Sequence, residues 1–467
     1  MEVANMRKIE EQITVPREER VGKPKDLFFI WFAANIGILG VVYGAMIVGF
    51  QLSFIQSTLA ALVAAFSFVL VGYISIAGKK NGITTFMLSR AAFGTKGNWI
   101  PNFLGWLNLV GWLSVNVVTG TLILLSLANV LQIGSSNTTT VISLVIFTAL
   151  ILLSGLLDQN KLAKLQTFFT FVFGGLTLVI LLILLPETNW QQLIDMPNGS
   201  WLSGFLPAVS IIMAGTGISW AIAGADYSAY QNPSNKNSAV FMSVVFGAVI
   251  PLFVIMFVGI LLSTSLPDIA TSANPIDVIG AALPSWITVI YFITAVGGLV
   301  PQCIISLKSA RVNLETLNIN VSDRTSLAIH GAIMLLIPIY VLFISRDFLY
   351  NFQLFLGLLG IGIAAWAAVF VADYYFNRKN GYALELLDSS GKNKMNKNGV
   401  ISWAIGTVIG FLFTNTDFFS GPFAVGIFRD NSLGLLLAFI FSWISFAVLR
   451  FFLKEEGSKD EISANVR

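Results

Sequence analysis

The sequence predicts an all-α integral membrane protein with twelve transmembrane helices, and three observations carry that prediction. Hydrophobic residues make up 56% of the 467 positions and charged residues 11%, with a mean hydropathy of +0.80, outside the range of soluble globular chains. Apolar runs of about 20 residues, the length that crosses the hydrocarbon of a bilayer, recur from end to end. When those runs are set as spans, all but two of the 27 Lys and Arg residues fall in the connections of one side; only Arg346 and Arg429 fall on the other. Basic residues near span ends stay in the cytoplasm, so the asymmetry implies an even number of spans with both termini cytoplasmic, in a cell membrane.

The elements follow in order. Residues 1–25 form a charged cytoplasmic segment without an apolar core, hence no cleavable signal peptide. Its basic residues alternate with Glu2, Glu10, Glu11, Glu18 and Glu19, so it is not read as a lipid-binding patch. Spans are expected at 27–49, 52–77, 99–131, 139–157, 166–186, 205–225, 239–262, 286–307, 325–344, 348–371, 399–414 and 431–452. The first five (26–186) and the next five (205–371) are expected to form two repeats. A cytoplasmic loop (372–398), two peripheral helices (399–452) and a cytoplasmic tail (453–467) complete the chain. The peripheral helices carry Gly406 and Gly410, weak grounds for more than a monomer or a weak dimer.

The spans lack Asp, Glu, Lys and Arg near their middles. That absence argues against a pump and against a charged substrate. No charged ring or filter loop points to a channel. The single cysteine, Cys303, and the single histidine, His330, supply neither a disulfide, a metal cluster nor a nucleophile–base pair, so the chain is not read as an enzyme. Nothing suggests a nucleic-acid partner; the partners expected are the bilayer and a small molecule.

Glycines interrupt two spans at related places. Span one reads Ala33-Ala34-Asn35-Ile36-Gly37-Ile38-Leu39-Gly40, continuing to Gly44, and span six reads Ala214-Gly215-Thr216-Gly217-Ile218-Ser219-Trp220. Glycine lowers helix propensity and lets backbone approach a ligand. The two spans enter from opposite sides, the expectation for inverted repeats with discontinuous helices 1 and 6. Close packing of helices is the competing explanation. In span three, Trp112 lies about 13 residues deep, roughly 20 Å at the helical rise and too deep for the interfacial belt. Asn116 lies four residues on, on the same face. Two indoles, Trp112 and Trp220, facing a cavity suit a flat heteroaromatic ring gripped by stacking and oriented by a side-chain amide; packing of helix against helix is the competing explanation.

Several segments resemble the nucleobase–cation symporter family, within it the purine–cytosine permease branch. They are Trp31-Phe32-Ala33-Ala34-Asn35, the stretch Met87-Leu88-Ser89-Arg90-Ala91-Ala92-Phe93-Gly94, Ala225-Asp226-Tyr227-Ser228-Ala229-Tyr230 and Asp373-Tyr374-Tyr375. The resemblance covers spans one to ten. It implies a five-plus-five inverted-repeat core and cation-driven import of a neutral planar heterocycle, cytosine or a purine. It assigns Trp112 and Trp220 to the two faces of the ring, with Asn116, Ser219 and Asn35 as polar neighbours. A span-eight Asn reads the ring edge in that family. Here the stretch from Thr294 to Gln302 holds no Asn, so either Gln302 takes the role or the substrate differs. Allantoin, a hydantoin or a pyrimidine or pyridine vitamin precursor is the alternative substrate. For the coupling ion the resemblance implies Na⁺ on oxygens of Ala34, Gly37 and Thr294; with no midplane carboxylate, H⁺ is the alternative. Asp226 and Asp373 are expected at an inner gate or as caps, with Arg90 as a partner for one of them.

Overall fold

The computed structural model describes residues 10, 13–272, 274–319, 321–345, 348–389, 393–416, 419–429 and 433–453, those at 348–353 by backbone alone. Most of the expected cytoplasmic tail (454–467), the first residues of the N-terminal segment and the start of span twelve (431–432) lie outside the described residues. The described chain is helical apart from one antiparallel pair of two-residue strands, Asn415–Thr416 and Phe419–Ser420. Among the described residues, nine helices are long and apolar enough to cross a membrane, and a bent pair taken as one span makes a tenth. The last two expected spans appear as shorter apolar helices of 16 and 17 residues.

The bent pair is α1 (Pro24–Ala34) and α2 (Leu39–Gly49). Then come α3 (Phe54–Asn81), the short α4 (Thr85–Phe93), α5 (Trp99–Val130), α6 (Asn137–Ser154) and α7 (Gln159–Glu187). The sixth span is divided into α8 (Leu206–Gly215) and α9 (Gly217–Ala221). After these follow α10 (Asn237–Leu262), the short α11 (Pro275–Ala282), α12 (Ser285–Thr316), α13 (Asp323–Ser345) and α14 (Leu354–Arg378). The shorter helices α15 (Lys397–Leu412) and α16 (Leu433–Leu449) end the order. Two elements, α4 and α11, were not expected from hydropathy, being only 9 and 8 residues long.

Local chemistry starts the helices. The Ser53 hydroxyl accepts from the Gln56 N–H and the Gln56 side chain reaches back to the Ser53 N–H, a capping box at the start of α3. Ser136, Asp158, Ser322 and Asn396 cap α6, α7, α13 and α15 in the same way with side-chain oxygens. Gly82 ends α3 in the left-handed region at φ 68°.

Packing separates an interior from a periphery. In α5 and α10, 72% of the most apolar 18-residue window is buried within the protein, whereas in α7 and α13 the share is 22%. The outer helices therefore present apolar side chains outward, as a lipid-facing surface must. Gly40 and Gly44, expected at the interruption of span one, lie inside α2 instead. Gly44 lets α2 meet α10 backbone to backbone: a Cβ there would come within 1.9 Å of the Met256 carbonyl oxygen. Close packing is thus what these glycines do.

Candidate functional site

The first break runs from Asn35 to Ile38 and turns the chain by 64° between α1 and α2. Asn35 caps α1, its N–H donating to the Phe32 carbonyl at 3.0 Å and its Nδ2 to the Trp31 carbonyl at 2.8 Å. The second break is a single residue, Thr216, at φ −126° and ψ −111°. Ser67 of α3 fastens it: the Ser67 hydroxyl accepts from the Gly217 N–H at 3.1 Å and lies 3.4 Å from the Thr216 hydroxyl. Thr216 Oγ1 itself donates to the Ile212 carbonyl at 2.7 Å.

A small cavity of about 30 Å³ lies between the two breaks. Ala34, Asn35, Gly37, Leu39, Gly40 and Tyr43 line it from α1, the first break and α2; Trp112 and Asn116 from α5; Gly215, Thr216 and Trp220 from the second break; Leu252 and Gln302 complete it. No acidic or basic side chain is among them. The two indoles are braced edge-on from behind: Trp220 by Trp31 (5.6 Å, 83°) and Trp112 by Phe355 (6.3 Å, 79°). Aromatic edge-to-face contacts of this kind fix ring orientation. The polar end is a pair of carboxamides, with Gln302 Nε2 donating to Asn116 Oδ1 at 2.8 Å. Gly37 backs that pair, since a Cβ there would lie 3.3 Å from Gln302 Nε2. The arrangement offers two aromatic surfaces, neutral donors and acceptors, and no charge.

The structure thus brings Trp112, Asn116, Trp220, Gln302, Asn35, Ala34 and Gly37 to one cavity and leaves Ser219 and Thr294 outside its lining. Ser219 Oγ donates to the Ala214 carbonyl, freed by the break in its own helix, and lies 3.4 Å from Asn108 Oδ1. Thr294 Oγ1 donates to the Ile290 carbonyl of its own helix at 2.7 Å and faces an apolar cavity with Ile36, Ile38 and Ile255. The α12 residue opposite the first break is Gly298, whose Cβ would lie 3.4 Å from the Ile36 carbonyl oxygen. The apolar cavity at Thr294 takes in Ile36 and Ile38 of the first break but neither Ala34 nor Gly37.

The expected gating residues also separate. Asp226 Oδ1 accepts from the Thr85 N–H at 2.9 Å and the Thr85 hydroxyl at 2.8 Å, tying the segment after α9 to the start of α4. Burial raises the Asp226 carboxyl above its ordinary range, against the Thr85 bonds, which favour the ionised form. Asp373 pairs with Arg378 at 3.6 Å and accepts from Asn377 Nδ2 at 2.9 Å. Arg90 meets neither acid. Its guanidinium donates to the carbonyls of Leu387 and Thr316 at 2.9 and 2.8 Å, joining α4 to the end of α12 and to the loop after α14. Burial lowers its pKa from the usual arginine value.

Tyr43, Thr216 and Leu252 line the cavity without having been singled out from the sequence.

Residues 14–433 match the family described as permease for cytosine/purines, uracil, thiamine and allantoin. The protein YxlA of Bacillus subtilis, provisionally named a purine-cytosine permease, is 28% identical over 425 residues, 88% of this chain and 89% of its own. The purine-cytosine permease fcyB of Emericella nidulans is 22% identical over 448 residues, 90% and 84% of the two chains. Among solved structures, the nucleobase-cation-symport-1 family transporter Mhp1, closed with bromovinylhydantoin bound, superposes with a TM-score of 0.73 at 17% identity, covering 95% of this chain and 96% of that one. Its inward-facing form gives 0.68, also at 17% identity, with 97% and 96% covered. These two likenesses concern the fold.

Proposed function

Because this chain belongs to the family of permeases for cytosine, purines, uracil, thiamine and allantoin, we propose that it is a secondary active symporter. It imports a neutral planar heterocycle, cytosine or a purine nucleobase, with a cation by alternating access. The observation that carries this reading is the uncharged cavity at the two helix breaks, with Trp112 and Trp220 on its walls and the Asn116–Gln302 amide pair at one end. The indoles grip the two faces of the ring; the amides and Asn35 exchange hydrogen bonds with its edge, offsetting the loss of water. A ring that stacks well but presents no edge donors leaves the amides unpaired, which is how such a site discriminates.

The reading extends to architecture. The chain crosses the cell membrane twelve times with both termini cytoplasmic. Ten spans form two inverted repeats that rock about the breaks, and α15 and α16 are peripheral, in a monomer or weak dimer. Asp226 and Asp373 secure the inner gate through their neighbours rather than touching substrate. Na⁺ is the proposed coupling ion, held by backbone oxygens of the first break at Ala34 and Gly37, because no carboxylate or histidine lines the cavity to carry a proton; H⁺ is the alternative.

A second substrate class is supported by Gln302. Where the family resemblance leads one to expect Asn, the longer amide reaches across to Asn116 and narrows the polar end. That favours allantoin, a hydantoin or a pyrimidine or pyridine vitamin precursor as competitor to the nucleobases. Uptake of radiolabelled cytosine and adenine into proteoliposomes, under an imposed Na⁺ gradient and then an imposed pH gradient, tests both assignments. Accumulation of either base establishes the substrate and identifies the ion. No accumulation of either, with uptake of allantoin or a hydantoin, transfers the assignment to the second class. No accumulation of any of them, nor of a pyrimidine or pyridine vitamin precursor, rejects the symporter reading.

A further inference from the structure

The end of α14, the start of α15 and the residues that follow α16 meet on the basic-rich face around a second cavity, of about 290 Å³. Arg378 and Lys397, with the amides of Asn393, Asn396 and Asn398, line its polar wall; Phe452 and Leu453 line an apolar one. Hydrogen bonds build the polar wall. Asn393 Nδ2 donates to the Arg90 and Leu386 carbonyls, both at 3.1 Å. The N–H groups of Thr95 and Lys96 donate to the Asn393 and Lys394 carbonyls at 2.9 and 2.8 Å, and the Asn396 N–H donates to the Phe93 carbonyl at 2.9 Å. Residues 393–396 are thus strapped to the end of α4. Asn398 Nδ2 donates to the Phe446 carbonyl of α16 at 3.4 Å. The amides hold the walls together, and the two cations give the cavity its charge. Among the described residues no carboxylate lines it; the acid behind it is Asp373, 1% exposed and 3.6 Å from Arg378.

Aromatic residues set the depth of this cavity in a bilayer. Tyr375 of α14 and Trp443 of α16 have ring centroids 6.5 Å apart, and Tyr375 is half exposed. Lys379 lies over the Tyr375 ring at 5.4 Å, and Arg450 over the Phe376 ring at 4.2 Å. Tyr and Trp gather at headgroup level, and the long stems of Lys and Arg carry their charges to it. Phe451 and Phe452 are 75% and 78% exposed, an apolar pair suited to hydrocarbon rather than water. A free anion in the cavity would leave that apolar side unused. A cavity with cations on one wall, apolar side chains on the other and headgroup depth matches a molecule that every membrane supplies, a phospholipid of net negative charge.

We infer that this cavity binds the phosphate headgroup of an anionic phospholipid, with Arg378 and Lys397 on the phosphate and an acyl chain running past Phe452. Bound lipid holds the strap 393–396 against α4. Because Thr85, at the start of α4, is bonded to Asp226 just beyond α9, the lipid also steadies the segment that follows the second break. The site requires only that the chain lie in a bilayer, so it stands apart from the transport reading above.

Lys397 is the residue to test, since it is exposed at the first position of α15 and its loss disturbs no buried pair; Arg378 is kept, because removing it would strand Asp373. The melting temperature of the purified full-length protein in detergent is followed as phosphatidylglycerol, phosphatidylcholine or inorganic phosphate is added at constant ionic strength. The expected result is a rise several degrees larger with phosphatidylglycerol than with phosphatidylcholine, and none with phosphate. Lys397→Gln should raise the half-saturating fraction of phosphatidylglycerol roughly fivefold, the effect of losing one cation at a membrane surface. Lys397→Arg should keep the parent response, as should Lys236→Gln, at an exposed basic position outside the cavity. Equal effects of the two lipids, or a phosphatidylglycerol effect that Lys397→Gln leaves unchanged, overturn the site. Phosphate acting as strongly as phosphatidylglycerol marks an adventitious ion only and overturns the lipid. A lipid response that emerges only when residues 454–467 are removed assigns the cavity to the chain's own tail and overturns the lipid as well.

Discussion

The two breaks differ in what lies against their glycines. At the first, four residues turn the chain through 64°, and the nearest atom to a side chain added at Gly37 is the end of the flexible Gln302 amide, at 3.3 Å. At the second, one residue separates two helices, and a Cβ on Gly217 would meet the Ser67 carbonyl carbon at 2.4 Å and the Phe68 nitrogen at 2.6 Å. The first break is built around a side chain that can give; the second is built around backbone that cannot. A glycine in a helix interruption therefore carries no fixed meaning, and its neighbour decides it. Here the contrast makes the polar end of the cavity adjustable and keeps the aromatic wall at Trp220 anchored.

Substitutions that break this contrast should rank by it. Gly217→Ala has the largest expected effect. The α3 backbone must move, at a cost of roughly 1–3 kcal/mol for overpacking, so the melting temperature of the purified protein falls and uptake is lost. Gln302→Leu comes next: it strands Asn116 Oδ1 and removes a ring-edge partner at the polar end, so one lost bond of about 1 kcal/mol raises the KM for uptake roughly fivefold, with a smaller fall in melting temperature than Gly217→Ala. Gly37→Ala follows, since φ at this position is not in the left-handed region and only the Gln302 amide must yield. It should shift KM less than Gln302→Leu and change the ranking of competitors differing at the ring edge. An effect of Gly37→Ala as large as that of Gly217→Ala would erase the distinction between the breaks. Thr294→Ala should do least: its hydroxyl serves its own helix, so the cation dependence of uptake stays as in the parent.

The same reasoning shows what was legible in the chain. Trp112 and Asn116 could be paired because a fourfold spacing fixes one helix face, and Trp112 could be placed deep because depth follows from residue count. The glycine runs located both interruptions, although Gly40 and Gly44 proved to be packing residues under α10. Facing was not legible where neighbours decide it. Along a 32-residue helix the spacing gives the depth of Thr294 but not the cavity it faces. Ser219 is recruited by the Ala214 carbonyl, an acceptor that exists only because the helix is broken. Arg90 was expected beside Asp226 or Asp373, yet it bonds to backbone carbonyls 226 and 297 positions away; a sequence displays charges but not which carbonyls a fold leaves open.

The decisive measurement is equilibrium binding of radiolabelled cytosine and adenine to purified parent, Trp112→Ala and Trp220→Ala proteins in detergent, each checked for an unchanged melting temperature. If the ring is held between the two indoles, each substitution weakens Kd roughly tenfold or more for whichever base binds the parent, as removal of one stacking surface requires. Binding of the parent that both substitutions leave unchanged would mean that the heterocycle is held elsewhere, and the cavity between the breaks would lose its role.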